Sequence, residues 1–467
     1  MGRRLATDLR SCCPVRASGR GWCSTRRHCL TILGILATTL AALTLLMHDH
    51  HSYSARGKEY FRQSRRTIDL HSDHRQLVAS NVSKVSTQPA TISTMTSPAG
   101  QSLHYDVITP KLHRDGNTLS ELHHHGSTTP SSRSNINGAI HVVVVACGSH
   151  TERATVALKS AVMMSRTRLH LHAFSDSEKT RQEISTELAS WPDVKSGRVT
   201  HSTHNLLYPA GEDVAAWKFL FRQCATVRLF LADILAGVDS ILYVDSDVLF
   251  FSPVEGIWSL LHHFNTSQLA SMTPEHEEKS IGWYNRHGKH PYVGKTGLNS
   301  GVMLMNLTRM RTFRFADGKG NLLTWSQAIV KVYHEYRNVI TWGDQDILNI
   351  FFHFNPAQLY IHECEWNYRP DHCMYRPFAG CPAAERNSTI RLLHLNRNAA
   401  VTPRWGLGFG AVYSVFISHG GVSILPGNQN LVSALKKKLN VVQETKGCGT
   451  INSVLIAALA NGISQIR

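Results

Sequence analysis

The chain has 467 residues, which is enough for one large domain or two smaller ones. Hydrophobic residues make up 42% and charged residues 18%, as in proteins with an ordinary globular core. The net charge of +16 suggests a nucleic-acid partner. However, many of the basic residues lie in the first segment and in the stretch 56–75, and no recognisable nucleic-acid-binding motif accompanies them. We therefore expect no nucleic-acid partner.

The first predicted element is a membrane anchor at residues 29–47, an uncharged and mostly apolar run long enough to cross a bilayer as a helix. Arginines precede this run. By the positive-inside rule the tail 1–28 is cytosolic, and the rest of the chain lies in the lumen of the ER or Golgi. A cleaved signal peptide is the alternative. The length of the run and the lack of a small-residue cleavage site after Met47 favour a single-pass type II anchor.

Residues 48–138 predict a flexible luminal stem, because a stretch rich in Ser, Thr, His and charge cannot bury enough apolar area to offset the entropy of ordering. The three histidines 123–125 can bind a metal adventitiously, but a solvated polar tract is the favoured interpretation. Glycosylation sequons are compatible with the secretory pathway; they begin at Asn81, Asn265, Asn306 and Asn387.

The predicted catalytic domain spans residues 139–415 and has an α/β pattern. The apolar run 140–148 is typical of a central parallel strand, residues 151–164 have helical spacing, and 169–174 predict a second strand. Alternation of strand and helix favours a doubly wound sheet, in which ligands lie at the carboxyl ends of the strands. The C-terminal segment 416–467 receives no structural assignment from its pattern.

The luminal cysteines predict disulfides, although their connectivity is not readable from the sequence. Cys147 ends a core strand and is expected to be a buried free thiol. At least one of Cys364, Cys373 and Cys381 is expected to join a disulfide. A zinc site is the alternative for these three, but their spacings are not those of a zinc module.

The most informative stretch places Asp245 and Asp247 at the end of an apolar run that predicts a buried strand. Their spacing puts both side chains on one side of an extended segment. Two buried anions need a partner, and a divalent cation such as Mg²⁺ or Mn²⁺ takes carboxylate and phosphate oxygens. Asp-x-Asp is a weak signal alone, so the downstream segments decide its weight.

Two downstream segments carry polar residues suited to binding a sugar. In 297–306, Asn299 and Ser300 can hydrogen-bond sugar hydroxyls and Gly301 permits close backbone approach, although a turn before a strand is the alternative. In 341–349, Asp344 and Gln345 are followed by a third polar residue, Asp346. A helix N-cap explains one of these residues but not all three.

A third segment, 392–397, is an apolar strand that delivers His394. A neutral imidazole suits Mn²⁺ as a third ligand beside the two carboxylates. A lone histidine of this kind is more often a structural, hydrogen-bonded residue.

Together these segments resemble family 8 of the retaining glycosyltransferases, and most closely the animal glucoside xylosyltransferases. The resembling segments run in order from His141 to Arg397 and include the strand of His394; the others are 144–148, 215–218, 224–225 with 228–231, 239–247, 274–278, 281–286, 294–297, 341–349 and 366–373. The resemblance implies a GT-A (Rossmann-like) fold, Mn²⁺ as cofactor and UDP-xylose as donor substrate. It implies an α-1,3-xylosyltransferase that adds xylose to O-linked glucose on EGF-like repeat proteins of the Notch type.

The resemblance also implies roles for individual residues. The metal ligands are Asp245, Asp247 and His394, and the catalytic residues beside the sugar are Asp344 and Gln345. The implied donor site comprises Cys147, Gly148, Lys218, Arg228, Ser246, Asn299, Ser300, Gly301, Asn396 and Arg397. The implied acceptor groove comprises Trp283, Tyr284, Trp366 and Tyr368. For the aromatic residues, ordinary core packing is the alternative; for Lys218 and Arg228, it is surface or structural ion pairing.

Two features depart from the family pattern. Leu395 stands where relatives have Gly, and its side chain could interfere at the diphosphate; beyond Ala400 the resemblance ends. Alternative functions remain open at this stage: another family 8 UDP-sugar transferase (xyloside or glucosyl transfer), an inactive lectin-like module or chaperone, and a membrane-anchored scaffold. Turnover of UDP-xylose separates the enzyme from the last two classes.

Overall fold

The computed structural model describes residues 138–212, 214–220, 224–275, 282–375, 380–402, 406–419, 428–442 and 447–466. The predicted cytosolic tail, the membrane anchor and all but the last residue of the predicted stem lie outside these residues.

Eleven strands occur in the described residues: β1 (Ile140–Val145), β2 (Leu169–Ser175), β3 (Val199–Asn205), β4 (Ser240–Val244), β5 (Val248–Phe250), β6 (Ala270–Pro274), β7 (Leu298–Asn306), β8 (Phe315–Ala316), β9 (Leu322–Leu323), β10 (Leu359–Ile361) and β11 (Leu392–His394). The helices are α1 (Thr151–Met163), α2 (Glu178–Ser190), α3 (Pro192–Lys195), α4 (Val214–Phe219), α5 (Leu231–Ile234), α6 (Val254–Trp258), α7 (Trp283–His287), α8 (Leu307–Thr312), α9 (Trp325–Tyr336), α10 (Asp344–Phe354), α11 (Pro370–Met374), α12 (Pro382–Asn387), α13 (Leu407–Ser418), α14 (Asn428–Val441) and α15 (Asn452–Ile466). Short 3₁₀ helices span Gly148–His150, Ala225–Phe230, Ser259–His263, Pro356–Gln358, Cys364–Asn367 and Gly447–Ile451.

The central layer is a seven-stranded mixed sheet with the strand order β10-β6-β7-β4-β1-β2-β3. The half from β4 to β3 is parallel, as the alternation of strand and helix predicts. In the other half β7 runs antiparallel to both of its neighbours, β4 and β6. The predicted parallel strand arrangement therefore holds for one half of the sheet, and the sheet as a whole is mixed. A separate antiparallel pair, β5 with β11, brings the end of β11 beside the Asp-x-Asp segment.

Alternate residues of the central strands enter two hydrophobic clusters, one on each face of the sheet. Val142 and Val144 of β1 belong to the cluster that includes α1, α2 and the C-terminal helices. Val143 belongs to the cluster that includes α9 and α10. Side chains on a strand alternate between faces, so burial on both faces explains why these strands are almost continuously apolar.

The C-terminal segment is part of the first hydrophobic cluster. Phe416 of α13 stacks on Phe251 with ring centroids 6.0 Å apart. In α15, Gly462 lies so close to the carbonyl of Phe251 that an added Cβ would overlap its oxygen. Among the described residues, Gly447–Ile466 has the length and apolar composition to cross a membrane. The residues of α15 that the core buries explain that composition; they are Leu455, Ala458, Leu459, Gly462, Ile463 and Ile466.

Six cysteines of the described residues form three disulfides: Cys147–Cys224, Cys364–Cys381 and Cys373–Cys448. The prediction that Cys147 is a free thiol is wrong. The end of β1 lies beside the residue that precedes Ala225–Phe230, and the two Cα atoms are 6.4 Å apart. The prediction of at least one disulfide among Cys364, Cys373 and Cys381 is confirmed, and the zinc alternative is wrong because all three sulfurs are bonded in disulfides.

Candidate active site

The site is a cleft of about 400 Å³ at the carboxyl ends of β1 and β4, the edge at which the sequence predicts a ligand. The described residues that line it are Val145, Cys147, His150, Ala225, Arg228, Tyr243, Asp245, Ser246, Asp247, Glu275, Trp283, Asn299, Ser300, Trp342, Asp344, Gln345, His394, Asn396 and Arg397.

The three predicted metal ligands lie together. β11 pairs with β5 so that His394 stands opposite Val248, next to Asp247. The Nε2 atom of His394 lies 3.3 Å from Asp247 Oδ1 and 3.7 Å from Asp245 Oδ2. One ligand atom from each residue lies within 4.8 Å of the other two. Two carboxylate oxygens and one imidazole nitrogen fit a hard or borderline cation such as Mn²⁺.

Gly301, which the resemblance assigns to the donor site, packs against the predicted metal ligand His394 and is not among the described residues that line the cleft. The imidazole of His394 lies directly against the Gly301 backbone, where an added Cβ would overlap the ring carbon Cε1. The backbone carbonyl of Gly301 accepts a 2.8 Å hydrogen bond from the Asp245 N–H. The absence of a side chain on Gly301 therefore allows β4, β7 and β11 to converge on the three ligands.

Arg228 is buried beneath the cleft, with 4% of its surface exposed. Its guanidinium lies 2.9 Å from Asp245 Oδ1 and 2.6 Å from Asp344 Oδ2, and stacks 4.2 Å from the centre of the Tyr243 ring. It also donates to the carbonyl of Ser300. These contacts support the structural ion-pairing alternative. Arg228 orients Asp245 and offsets the charge of the two carboxylates, and each of its three nitrogens contacts an acceptor of the protein.

Asp344 is buried at the first turn of α10, after Gly343 at φ 61°. Burial raises the pKa of Asp344 to about 6, although the positive charge of Arg228 opposes the rise. Asp346 points elsewhere. It accepts hydrogen bonds from the N–H groups of Thr341 and Trp342 and from the Tyr284 hydroxyl. Of the two carboxylates, Asp344 lines the cleft and Asp346 holds the loop before α10.

Gln345 lies on the cleft wall and is held at both ends of its amide. Its Oε1 accepts from the Ser300 N–H at 3.0 Å and from the Ser300 hydroxyl at 3.2 Å. Its Nε2 donates to Glu275 Oε1 at 3.3 Å. Glu275 also forms an ion pair with the fully buried Arg369. The cleft therefore contains a fixed, neutral amide supported by a buried ion pair.

Asn299 lines the cleft, and both ends of its amide are hydrogen-bonded inside the protein. Its Oδ1 accepts from Gly301 N–H at 3.0 Å and from Asn367 Nδ2 at 2.8 Å, and its Nδ2 donates to Glu275 at 3.1 Å. One of the two hydrogens on Nδ2 is used by Glu275. That Asn299 hydrogen-bonds the sugar therefore stays a prediction.

The other predicted donor-site residues divide into two groups. Cys147 and Ser246 line the cleft, as do Asn396 and Arg397 on its far wall. Gly148 and Lys218 are not among the described lining residues. Leu395 does not interfere with the site: its side chain is buried in the hydrophobic core, and its N–H donates to the Asp247 carbonyl at 2.7 Å.

Of the four aromatic residues assigned to an acceptor groove, only Trp283 lines the cleft. Tyr284 and Tyr368 are fully buried, and Trp366 is 5% exposed. The Tyr368 hydroxyl donates to Glu385 at 2.6 Å, and Trp366 packs beneath Arg391. Ordinary core packing is therefore the role of these three. The partners of Trp283 in the cleft are Trp342, with ring centroids 5.3 Å apart, and Arg397.

The cleft lining includes residues that the sequence did not assign to the site: Val145, His150, Ala225, Tyr243, Glu275 and Trp342. Three unassigned residues contact predicted site residues through polar groups or rings; they are Glu275, Trp342 and Asn367. Each lies in a segment that carries the resemblance, at 274–278, 341–349 or 366–373. Membership in these segments is the signal that the sequence offers for them. Their partners are far away in sequence, so their roles appear only in three dimensions.

The sequence model of glycosyl transferase family 8 matches residues 141–401. This interval contains every described residue that lines the cleft. The chain belongs to glycosyl transferase family 8. With its central mixed sheet it has a GT-A-like glycosyltransferase fold, so the predicted fold class is confirmed for the folded domain.

The resemblance to the glucoside xylosyltransferases is also confirmed. The chain is 48% identical over 262 residues to glucoside xylosyltransferase 2 of Mus musculus, covering 55% of this chain and 57% of that protein. It is 42% identical over 326 residues to glucoside xylosyltransferase 1 of Homo sapiens, covering 69% and 71%. The chain thus spans less than two thirds of the length of the mouse relative. Among solved structures, apo mouse xyloside xylosyltransferase 1 is 17% identical with a TM-score of 0.39, over 56% of this chain and 99% of that one.

Proposed function

We propose that this protein transfers xylose from UDP-xylose, in α-linkage and with retention, to O-linked glucose on EGF-like repeats. The observation that carries the proposal is the identity of 48% over 262 residues to a protein named glucoside xylosyltransferase 2. The cleft supports it chemically, because it joins a cation-binding triad to a fixed amide and a buried carboxyl.

Asp245, Asp247 and His394 would hold Mn²⁺ in this proposal. When bound, the cation supplies Lewis-acid stabilisation of negative charge on a departing diphosphate. Arg228 keeps Asp245 oriented through its 2.9 Å ion pair. Its charge also offsets part of the repulsion among the carboxylates of Asp245, Asp247 and Asp344.

Gln345 would act on the reacting sugar by position and not as a nucleophile. A carboxamide is a poor nucleophile, and both ends of this amide are held by Ser300 and Glu275. Retention is therefore better explained by attack from the same face through an oxocarbenium-like state. In that scheme the acceptor hydroxyl forms the new glycosidic bond as the bond to the diphosphate breaks, and the leaving phosphate oxygen takes the hydroxyl proton.

The test offers the purified full-length protein a panel of UDP-sugars with Mn²⁺ and glucosylated EGF repeats, and weighs the product by mass spectrometry. We expect a mass gain of one pentose with UDP-xylose. Transfer of a hexose, or extension of an existing xylose, would replace the proposal with another family 8 activity. Binding of UDP without turnover of any sugar would support the inactive lectin-like or chaperone alternative.

We also propose a single-pass type II topology with the catalytic domain in the ER or Golgi lumen. The charge asymmetry across residues 29–47 supports this topology. In sealed microsomes the catalytic domain should resist added protease until detergent is present. Digestion without detergent would place the domain in the cytosol and overturn the proposal.

A further inference from the structure

The first step concerns the orientation of the Asn299 amide. The Gly301 N–H can only donate, and it lies 3.0 Å from Asn299 Oδ1. The oxygen of Asn299 is thereby assigned, and its Nδ2 faces the Glu275 carboxylate at 3.1 Å. A carboxylate oxygen accepts hydrogen bonds, so the two ends of the amide agree.

The second step passes from Asn299 to the metal ligand His394. Asn299 Oδ1 also lies 2.8 Å from the amide of Asn367, so Asn367 must present its Nδ2 donor there. Its Oδ1 then faces His394 Nδ1 at 2.9 Å. An amide oxygen only accepts, so Nδ1 of His394 carries a proton. The lone pair of Nε2 is left toward Asp245 and Asp247, which is the tautomer a metal ligand requires.

The Glu275 carboxylate, which accepts from Asn299, is also the end of a second chain of hydrogen bonds. The Ser300 N–H, adjacent in sequence to that of Gly301, fixes the oxygen of Gln345 at 3.0 Å. Gln345 Nε2 consequently faces Glu275 Oε1 at 3.3 Å. The metal ligand and the amide on the sugar side of the cleft therefore share one anchor. Asn299 and Glu275 are nearly buried, and Asn367 is fully buried.

We infer that Asn367 is a positioning residue for the metal site: it holds His394 in the Nδ1–H tautomer, with Glu275 and Asn299 fixing its own orientation. The inference rests on the proposed function in one respect, the assignment of Asp245, Asp247 and His394 as metal ligands. Partners that orient a metal-binding histidine typically change metal affinity 10- to 100-fold when removed.

The first experiment measures Mn²⁺ affinity of the full-length protein by electron paramagnetic resonance, without any substrate. In Asn367→Leu we expect the dissociation constant for Mn²⁺ to rise about 10- to 100-fold. The matched control is Asn349→Leu. Asn349 is equally buried and bonds Leu298 and Tyr284, but it contacts no metal ligand. An unchanged dissociation constant in Asn367→Leu, or an equal rise in both variants, would overturn the inference.

The second experiment reads the tautomer directly and needs no change at Asn367. Long-range ¹H–¹⁵N spectra of the metal-free wild type at pH 8 identify the His394 ring as the signal absent from His394→Gln. A proton on Nδ1 is expected, and an unprotonated Nδ1 would overturn the inference. If the wild type binds no Mn²⁺, the proposed metal function fails, whereas the tautomer assignment is still tested by this spectrum.

Discussion

Asp247 gives the cleanest residue-scale test of the metal site. Asp247→Ala should lower the rate of xylose transfer at least about 100-fold, because loss of a ligand misplaces the ion that stabilises the leaving diphosphate. Asp245→Ala should lose at least as much activity. It should also be less stable, because Asp245 balances the buried Arg228 at 2.9 Å. His394→Ala should cost less, because both carboxylates remain. Initial rates with saturating Mn²⁺ and UDP-xylose measure these losses.

Asp239→Ala is the matched control for these substitutions. Asp239 precedes β4, is exposed, and lies at the opposite end of that strand from Asp245. The Asp239→Ala variant should transfer xylose at a rate within about twofold of that of the wild type. If a folded Asp247→Ala protein kept a similar rate, the metal assignment would have to be withdrawn.

Substitution of Gln345 tests whether this residue acts on the sugar or on nucleotide binding. Gln345→Ala should lower kcat more than it weakens UDP binding, because Gln345 does not belong to the metal triad that would hold the diphosphate. Calorimetric titration with UDP, compared with steady-state rates, separates the two effects. Equal losses in both would mean that Gln345 only supports β7 through the Ser300 N–H.

The grouping of Asp245, Asp247 and His394 could be predicted because each residue ends or follows an apolar run, where a charged or imidazole side chain needs a partner. The supporting residues could not be predicted in the same way. Asn367 acts on His394 through an orientation that the Gly301 N–H determines, and no linear pattern contains that relation. Cys147 was misassigned for a related reason, since its partner Cys224 reaches it only when the segment before Ala225–Phe230 packs against β1.

At the scale of elements, β1 and β4 could be predicted because strands buried on both faces are almost continuously apolar. The direction of β7 could not, because a period of two residues is the same in parallel and antiparallel strands. The antiparallel β7 matters for the site. It brings Ser300 and Gly301, near its beginning, beside the carboxyl end of β4.

The parallel strands β1, β2 and β3 carry an array of imidazoles on one face of the sheet. His141 Nδ1 lies 2.9 Å from His172 Nε2, and His172 Nδ1 lies 3.0 Å from His204 Nε2. Burial, with the neighbouring imidazoles adding to it, lowers the pKa of His141 to about 4 and that of His172 to about 2. The array is therefore neutral at physiological pH.

This array predicts a loss of stability in acid. In the unfolded chain these histidines have the ordinary pKa of about 6.5 and bind protons as the pH falls below it. In the folded array their pKa values are lower, so they stay neutral. The unfolded state therefore binds more protons, and the stability of the fold decreases as the pH drops from about 7 toward about 4. After discounting for the partly exposed rings, we expect the free energy of unfolding to fall by about 2 kcal/mol between pH 7 and pH 5. Urea unfolding across this range measures it. His172→Phe should flatten the dependence, whereas the same change at exposed His262 should not; equal slopes in all three proteins would contradict the prediction.

At the scale of the whole molecule, the described residues after 401 complete the core that β1 and α1 begin. The sequence did not predict this, because the resemblance ends near Ala400 and an apolar helix alone does not say what it packs against. The Cys373–Cys448 disulfide joins this region to the segment that carries Asn367. The C-terminal helices thus support the wall of the cleft from behind.

Gly462 tests whether α15 is docked as the structure describes. An added Cβ would overlap the carbonyl oxygen of Phe251 and crowd Met164, so the helix and the strand end after β5 must separate. Overpacking of this kind costs about 3 kcal/mol or more, although Ala is otherwise the better helix former. Gly462→Ala should therefore lower the thermal midpoint clearly, while Gln465→Ala at an exposed position of α15 should leave it unchanged or slightly higher. A Gly462→Ala protein as stable as the wild type would show that α15 does not pack against Phe251, and the C-terminal segment would then have no part in the core.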